Sequence, residues 1–268
     1  MRHLLAIYRA QLIFQLQQQL QYRLGLLIWI LGMAIEPVVY LVVWRTVAES
    51  RPDGTVAGFS GAAFAAYYIL WIVVRTMNIA LTPWAFEERV QRGGLSPMLL
   101  RPVHPFHLDL AGFVSFKLVS LLVLTPIVGG LWLIFRPAVT LAPLDLVGFG
   151  LAIWTGFVMR FILVWALGLV TFWVVRVSAI FDLFFAVELL LGGRLVPLEL
   201  LPGPAAAIGR VLPFYYAYGF PIELALGRLS PEAVLRGFGM QALWALVSGL
   251  ALALLWQRGL RRYTAVGA

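Results

Sequence analysis

Long apolar runs separated by short polar stretches recur along the whole chain. Six of these runs are close to the ~20 residues that a helix needs to cross a hydrocarbon core of ~30 Å. Polar residues concentrate in two intervening stretches, 84–112 and 197–236. The pattern therefore predicts an all-α membrane protein with six transmembrane helices in one transmembrane domain, residues 1–268. The predicted spans are 24–44, 64–83, 113–135, 146–173, 179–196 and 237–256.

The first 22 residues follow a different pattern. Large apolar or aromatic residues recur every four positions, and Gln and Arg occupy much of the remaining surface. This spacing predicts an amphipathic helix over residues 1–22 that lies in the inner membrane interface. An N-terminal extension of the first span is the alternative. The repeating residues are Leu4, Tyr8, Leu12, Leu16 and Leu20.

Composition narrows the class of protein. The chain is 62% hydrophobic and 12% charged, whereas soluble domains are roughly 45–50% apolar and about 25% charged. This excess excludes a soluble enzyme and a nucleic-acid-binding module. The net charge is +8, but the basic residues are scattered between apolar runs, as the flanks of membrane helices are. No nucleic-acid partner is therefore expected, and the lipid bilayer is the expected surrounding. The chain has no Cys, which excludes disulfides.

The distribution of Arg and Lys predicts the orientation. More of them flank the spans on the N-terminal side, and the C-terminal cluster of Arg258, Arg261 and Arg262 falls on the same side when there are six spans. Positive charge is enriched on the cytoplasmic side of membranes. Both termini and the stretch 84–112 are therefore predicted to be cytoplasmic, and the stretch 197–236 extracellular.

The two polar stretches are predicted to contain short helices. Residues 84–92 combine aromatic and alternating charged residues and are followed by Gly93-Gly94, a typical helix stop. In 197–236, six prolines break any long helix. The intervening segments 205–212 and 215–226 are too short to span the membrane and are predicted to be re-entrant helices, with tyrosines in an outer aromatic belt.

Four ionisable residues fall inside predicted spans, where they are costly and are usually paired or face water. At 1.5 Å per residue, Glu36 and Arg160 lie about 18 and 20 Å from the inner ends of their spans, and Arg75 and Glu188 about 12 and 14 Å. Similar depth predicts the pairs Glu36–Arg160 and Arg75–Glu188. They either fix helix register, line a substrate pathway or relay protons. Pro37 is expected to kink its helix and free a nearby carbonyl.

Enzyme motifs are weak. Glu87, Glu88 and Arg92 spell E-E-x-x-x-R, which resembles the first motif of membrane-embedded glutamate proteases, but no His lies in any span. No phosphate-binding loop with its Gly-rich run and Lys is present. No catalytic, metal or cofactor residue is therefore assigned. An intramembrane enzyme and a non-transporting membrane scaffold remain the alternatives to transport.

Residues 192–202 and 212–216 resemble the fifth-span exit and the extracellular helices of ABC-2 type exporter permeases. The stretch 93–102 resembles the corresponding segment of the branch that has no fused ATPase. The resemblance covers nearly the whole chain, from the interfacial helix through six spans. The chain departs from commoner members in having Gly192-Gly193 where Ser-Gly is usual.

The resemblance implies the transmembrane subunit of an ATP-driven exporter that moves a hydrophobic or amphipathic substrate out of a bacterial or archaeal cell through its inner (plasma) membrane. ATP and Mg²⁺ are expected on separate ABC ATPase subunits, and a second permease subunit, a copy or a paralogue, completes the pathway. The segment 84–92 is then the coupling helix that presses into the ATPase, whereas a connector on the lipid surface is the alternative. Its expected contact residues are Trp84, Phe86, Glu87, Glu88, Arg89 and Arg92.

Overall fold

A computed structural model describes residues 2–263, except 138, 140, 141 and 175. Met1 and residues 264–268 of the predicted domain lie outside the described residues. The described chain is mostly helical, and its two strands, β1 (Thr55–Val56) and β2 (Phe59–Ser60), form an antiparallel hairpin. The helices are α1 (Arg2–Gln21), α2 (Arg23–Glu49), α3 (Gly61–Met77), α4 (Pro83–Gln91), α5 (Ser96–Leu99), α6 (Pro105–Phe135), α7 (Pro143–Gly168), α8 (Ser178–Leu191), α9 (Gly203–Gly209), α10 (Pro213–Ala217), α11 (Gly219–Ala225) and α12 (Pro231–Leu260), with 3-10 helices at Leu169–Phe172 and Leu198–Leu200.

Four of the six predicted spans are long and apolar enough to cross a membrane: α2, α6, α7 with its 3-10 extension, and α12. The predicted second and fifth spans are α3 and α8, with 17 and 14 residues. At 1.5 Å per residue these helices extend only about 26 and 21 Å. The count of six spans therefore stays a prediction.

The helical ends predicted at residues 83 and 196 are wrong. Helix α3 ends at Met77, where the Asn78 side chain donates to the carbonyls of Val74 and Ala217. Helix α8 ends at Leu191 because Gly193 adopts a φ of +80°, a conformation that residues other than glycine rarely adopt. A side chain at Gly193 would also approach the hydroxyl oxygen of Tyr67.

Helices α3 and α7 form the centre of the bundle. Most of α3 is buried, including the full side chains of Tyr67, Tyr68 and Trp71. The tyrosine hydroxyls donate to the carbonyls of Gly193 and Leu195, which fastens the chain after α8 to α3. Few residues of α2, α6 and α12 are buried despite the apolar composition of these helices, which is the pattern of helices solvated by lipid.

The stretch 197–236 holds three short helices rather than the predicted two, because the segment 215–226 is interrupted at Tyr218. The predicted aromatic belt is wrong: Tyr215, Tyr216 and Tyr218 are buried in the core among α3, α7 and α12. An aromatic cluster in the sequence therefore marked a packed core and not an interface.

Helix α1 is separated from α2 by Tyr22, whose backbone (φ −108°, ψ 30°) is not helical. It runs beside the first part of α6, where Gln15 lies against Gly112. Leu5 and Leu20 are exposed. The break supports two separate helices, while the position of α1 in the inner interface stays a prediction.

Candidate coupling site and intramembrane charge network

The segment 84–92 forms a short helix, as predicted. Helix α4 starts with Pro83, whose fixed φ suits the first helical position. It ends at Gln91, after which Gly93 adopts a φ of +75°. Helix α5 follows and turns the chain toward α6.

The six predicted contact residues of α4 divide into two faces. Trp84, Glu88 and Arg92 are spaced by four residues and are exposed, with 70% of Trp84 accessible. Phe86, Glu87 and Arg89 face the protein. We call the first set the outer face and the second set the inner face. The outer face is the more accessible of the two.

Phe86 anchors α4 to α7. Its ring is 3% exposed and occupies a gap that exists because residue 168 is Gly; a Cβ at Gly168 would overlap the ring. Trp165 meets it edge to face at 5.8 Å, and Phe181 lies at 6.5 Å. An aromatic side chain locked in this way ties α4 sterically to α7 and α8.

Glu87 binds the N-terminus of α8. Its Oε1 accepts hydrogen bonds from the backbone N–H groups of Val177 at 3.0 Å and Ser178 at 3.3 Å. The first N–H groups of a helix lack partners within the helix and carry partial positive charge. A carboxylate of α4 therefore supplies the cap that α8 does not supply itself.

Arg89 joins α4 to α6. Its guanidinium makes two parallel bonds to the Asp109 carboxylate, at 2.6 and 2.7 Å. Trp165 Nε1 donates to the same carboxylate at 2.9 Å. Such two-point pairs fix orientation as well as distance. The inner face thus contacts α6, α7 and α8 through three neighbouring residues of one short helix.

The carboxylates of the E-E-x-x-x-R motif have different surroundings. Glu87 is engaged by backbone N–H groups, whereas Glu88 is exposed with Arg92. Over the residues that the structure describes, no group of three or more His, Asp or Glu side chains could hold a metal ion. Glu87 therefore makes a contact within the protein, whereas Glu88 and Arg92 are accessible from outside.

The charged residues within the spans form one network, but with partners exchanged relative to the prediction. Arg160 makes two bonds to Glu188, at 2.6 and 2.9 Å, in a buried site. Its third nitrogen donates to the Asn78 carbonyl at 2.6 Å, and the Tyr218 hydroxyl lies 3.3 Å from the same carboxylate. Arg160 and Glu188 are thereby paired and almost fully satisfied.

Arg75 pairs with Glu36 at 2.8 Å. The same guanidinium donates to the carbonyl of Met33 at 3.1 Å. Met33 lies four residues before Pro37, whose missing N–H leaves that carbonyl without its helical partner. The predicted freeing of a carbonyl by Pro37 is therefore confirmed, and Arg75 is the group that satisfies it.

The predicted pairs Glu36–Arg160 and Arg75–Glu188 are wrong. The predicted depth of Arg75 assumes that α3 is helical as far as Pro83, and α3 ends earlier. Helix α3 stops at Met77, and residues 78–82 are not helical. A non-helical stretch advances up to about 3.3 Å per residue instead of 1.5 Å. This places Arg75 up to about 20 Å from Pro83, level with Glu36.

Arg194, which the sequence did not single out, also belongs to the network. Its guanidinium lies 4.0 Å from Glu36 and 3.9 Å from Glu188, between the two pairs. Three arginines thus face two glutamates, so the network carries a formal charge of +1. The available signal was the Gly192-Gly193 turn, which folds the next residue back into the bundle.

Lys117, the one lysine of the chain, was also missed. It is buried in α6, donates to the carbonyl of Ile79 at 2.6 Å and lies 4.2 Å from the centre of the Phe157 ring. With Arg160 on the carbonyl of Asn78, two cations hold the non-helical stretch 78–82. This stretch connects the charge network to α4.

Comparison with known proteins supports the family suggested by these features. A search of curated proteins finds no match to the chain. The family model described as ABC-2 family transporter protein matches residues 34–267, which includes α4, the charge network and the short helices α9 to α11. Such permeases are transport subunits that normally work with ABC ATPases. The chain belongs to the ABC-2 transporter family and is a multi-pass membrane protein of that family.

Proposed function

We propose that this permease is the transmembrane subunit of an ATP-driven exporter, and that a separate ABC ATPase binds the outer face of α4. ATP and Mg²⁺ are bound and hydrolysed on the partner. Both termini and α4 lie in the cytoplasm, and the stretch 197–236 lies outside a bacterial or archaeal inner membrane. The substrate is hydrophobic or amphipathic and moves outward between two permease subunits.

The division of α4 into two faces carries this proposal. A helix that only rested on lipid would not need three separate attachments to the bundle. Here Phe86, Glu87 and Arg89 fix α4 to three other helices, α7, α8 and α6. Trp84, Glu88 and Arg92 meanwhile border an open groove of about 270 Å³. An exposed aromatic between charged residues is typical of protein-contact surfaces.

The attachments define how a displacement of α4 would move the bundle. Glu87 acts on the first turn of α8, and Phe86 acts on α7 at Gly168. The stretch 78–82 leads to α3 and to Arg75 in the charge network. Closure of the ATPase subunits would thus reach the mid-membrane charges through backbone and ion-pair contacts.

The exposed surface supports a hydrophobic or amphipathic substrate. The outward side of α2 is apolar over several turns, with Leu24, Ile28 and Ile35 exposed. Both carboxylates inside the bundle, Glu36 and Glu188, are paired with arginines. Such surfaces suit lipid, a second permease or apolar cargo better than a hydrated ion.

Co-purification tests the ATPase partner. The chain is isolated from its native membrane, and the co-purifying proteins are identified with their ratio. We expect an ABC ATPase, lost on Glu88→Arg because the reversed charge lies on the outer face. Glu49→Arg, an exposed charge reversal at the far end of α2, is the control and should retain the partner. Retention of the ATPase by Glu88→Arg, or its absence from wild type, contradicts the proposal.

Single-cysteine labelling tests the orientation, since the chain has no Cys. Glu88→Cys should react with an impermeant maleimide only in inverted membrane vesicles, and Glu49→Cys only in intact cells. The opposite pattern would place α4 outside and overturn the exporter proposal.

Glu87→Gln separates coupling from partner binding. The amide binds the α8 N-terminus more weakly than a carboxylate does, because it carries no charge. We expect normal co-purification of the ATPase but a lower ratio of substrate exported to ATP hydrolysed. An unchanged ratio would show that the contact between α4 and α8 does not transmit force.

A further inference from the structure

A second polar site lies at the opposite end of the bundle from α4. Helix α12 has 30 residues, about 45 Å of rise. Near its C-terminal end, Tyr263 bonds to Ser96 in α5, next to α4. Its N-terminal end borders a cavity of about 270 Å³. We call this the arginine cavity, and its charged and polar lining includes Glu199, Arg210, Glu223, Arg228, Ser230 and Arg236.

The arginine cavity has positive charge that the protein does not neutralise. Arg228 is engaged, since it bonds Glu199 at 3.1 Å and stacks on Phe59 at 3.6 Å. Arg210 and Arg236 are exposed and, within the described part of the chain, have no carboxylate within 4.0 Å. The N-terminus of α12 lies at the same place, where Ser230 caps it and Glu232 in its first turn offsets part of its partial positive charge.

A buried carboxyl group also lines the cavity. Glu223 is 3% exposed, and the Tyr215 hydroxyl bonds its Oε2. Its Oε1 has no hydrogen-bond partner among the described residues. An unpartnered buried polar atom costs free energy unless a ligand or water satisfies it.

Burial raises the pKa of the Glu223 carboxyl to about 7, since the charged form is poorly solvated there. Tyr215 and the cations Arg210 and Arg228 oppose this rise, while Glu199 adds to it; Tyr67 of α3 also faces this carboxyl. Near neutral pH the group is therefore protonated part of the time. A protonated carboxyl donates a hydrogen bond instead of repelling an anion.

We propose that the arginine cavity binds a phosphate-type oxyanion, held by Arg210 and Arg236 with a hydrogen bond from protonated Glu223. Guanidinium groups bind such oxygens through parallel bonds. The volume equals that of about nine water molecules in the liquid, enough for a phosphate and part of an esterified alcohol. Free phosphate and a lipid headgroup share this chemistry. The inference does not depend on ATP, on an ATPase or on the direction of transport.

Calorimetric titration of the full chain in a maltoside detergent tests the proposal. One arm uses inorganic phosphate, and the other uses short-chain dihexanoyl-phosphatidylglycerol. Binding in the first arm supports a site open to free phosphate, and binding only in the second supports a headgroup site. We expect Arg236→Gln to weaken binding about tenfold, as loss of one charge-assisted contact does.

The matched control is Arg45→Gln, an exposed arginine near the same end of the bundle that does not line the cavity. It should bind like wild type. Melting temperatures of both variants show whether they fold. Wild type that binds neither probe, or a folded Arg236→Gln with unchanged affinity, overturns the proposal.

Sulfate tests the part played by Glu223, because its charge does not change near neutral pH. Wild-type affinity should fall by about tenfold between about pH 6 and about pH 8, as the carboxyl loses its proton. Glu223→Gln keeps an N–H donor at every pH, so its affinity should stay constant. If sulfate affinity depends on pH in the same way in wild type and Glu223→Gln, Glu223 takes no part in binding.

Discussion

Arg75 donates a hydrogen bond to the backbone carbonyl of Met33, 3.1 Å away in the neighbouring helix. That carbonyl is free because Pro37 has no N–H to offer it. The contact joins α3 to α2 at the level of the Glu36–Arg75 ion pair. Arg75 of α3 thus supplies the hydrogen bond that Pro37 of α2 cannot supply.

This shared carbonyl predicts that substitutions of Arg75 and Pro37 have non-additive effects on the free energy of unfolding. Arg75→Met removes the donor to Met33 and should destabilise the fold. In a Pro37→Ala background, the restored N–H satisfies the carbonyl, so the cost of Arg75→Met should fall by about 1 kcal/mol. Unfolding free energies in detergent measure it, with the exposed Val39→Ala as the control background. Equal costs in all backgrounds would contradict the interpretation.

The exchanged ion pairs predict which residues are energetically coupled. Glu188→Gln leaves the Arg160 guanidinium buried without its partner, which should cost about 3 kcal/mol of unfolding free energy. A double-mutant cycle with Arg160→Met should show strong coupling. The cycle combining Glu36→Gln with Arg160→Met should show less than about 0.5 kcal/mol. Stronger coupling of Arg160 with Glu36 than with Glu188 would instead support the pairing predicted from depth along the helices.

The sequence identified which charges lie in the bundle but not which partners they take. The apolar runs place four ionisable residues inside the spans: Glu36, Arg75, Arg160 and Glu188. The free-energy cost of an unpaired charge in the membrane indicates that they pair. Partner choice depends on where α3 stops. Met77 and Pro83 are equally good ends by hydropathy, and only the contact of Asn78 with Ala217 in the folded protein decides between them.

The gap at Gly168 predicts a specific loss of stability. Gly168→Ala places a methyl group within the Phe86 ring, which should cost about 1–3 kcal/mol through overpacking. Phe86→Leu, a smaller side chain, should be partly compatible with the added methyl group. We expect the double variant to be more stable than Gly168→Ala alone, as measured by thermal unfolding. A double variant that is less stable would show that the ring does not occupy this gap.

His104 predicts a pH dependence near α6. Its Nδ1 accepts a hydrogen bond from the Phe106 backbone N–H, which requires neutral imidazole. Burial lowers the pKa of His104, with a further lowering from His107. The contribution is therefore present above about pH 6.5 and lost as pH falls through the lowered pKa.

The effect should stay below about 1 kcal/mol, because His104 is only partly buried and the cap is a single bond. His104→Asn supplies an acceptor that does not titrate in this range. Its stability should show a flatter profile than wild type between about pH 7 and about pH 5. A wild-type profile that matches the variant would exclude the cap as the cause.

Helix α4 was well predicted because its signals are local. Charges, aromatics and a Gly-Gly stop within ten residues suffice for a helix and its end. The spacing of Trp84, Glu88 and Arg92 by four residues could have separated the outer face from the inner one. The cap of Glu87 on α8 could not be foreseen, since it joins residues about ninety positions apart.

The connections of α4 to α3 and to α8 differ in stiffness. Toward α3, the chain passes through the non-helical residues 78–82, whereas toward α8 the contact of Glu87 is made directly on a helix end. An extended segment transmits a pull but bends under compression, whereas a side chain that contacts a helix end directly transmits compression. Pushing and pulling on the nine-residue helix α4 should therefore act on different helices, α8 and α3.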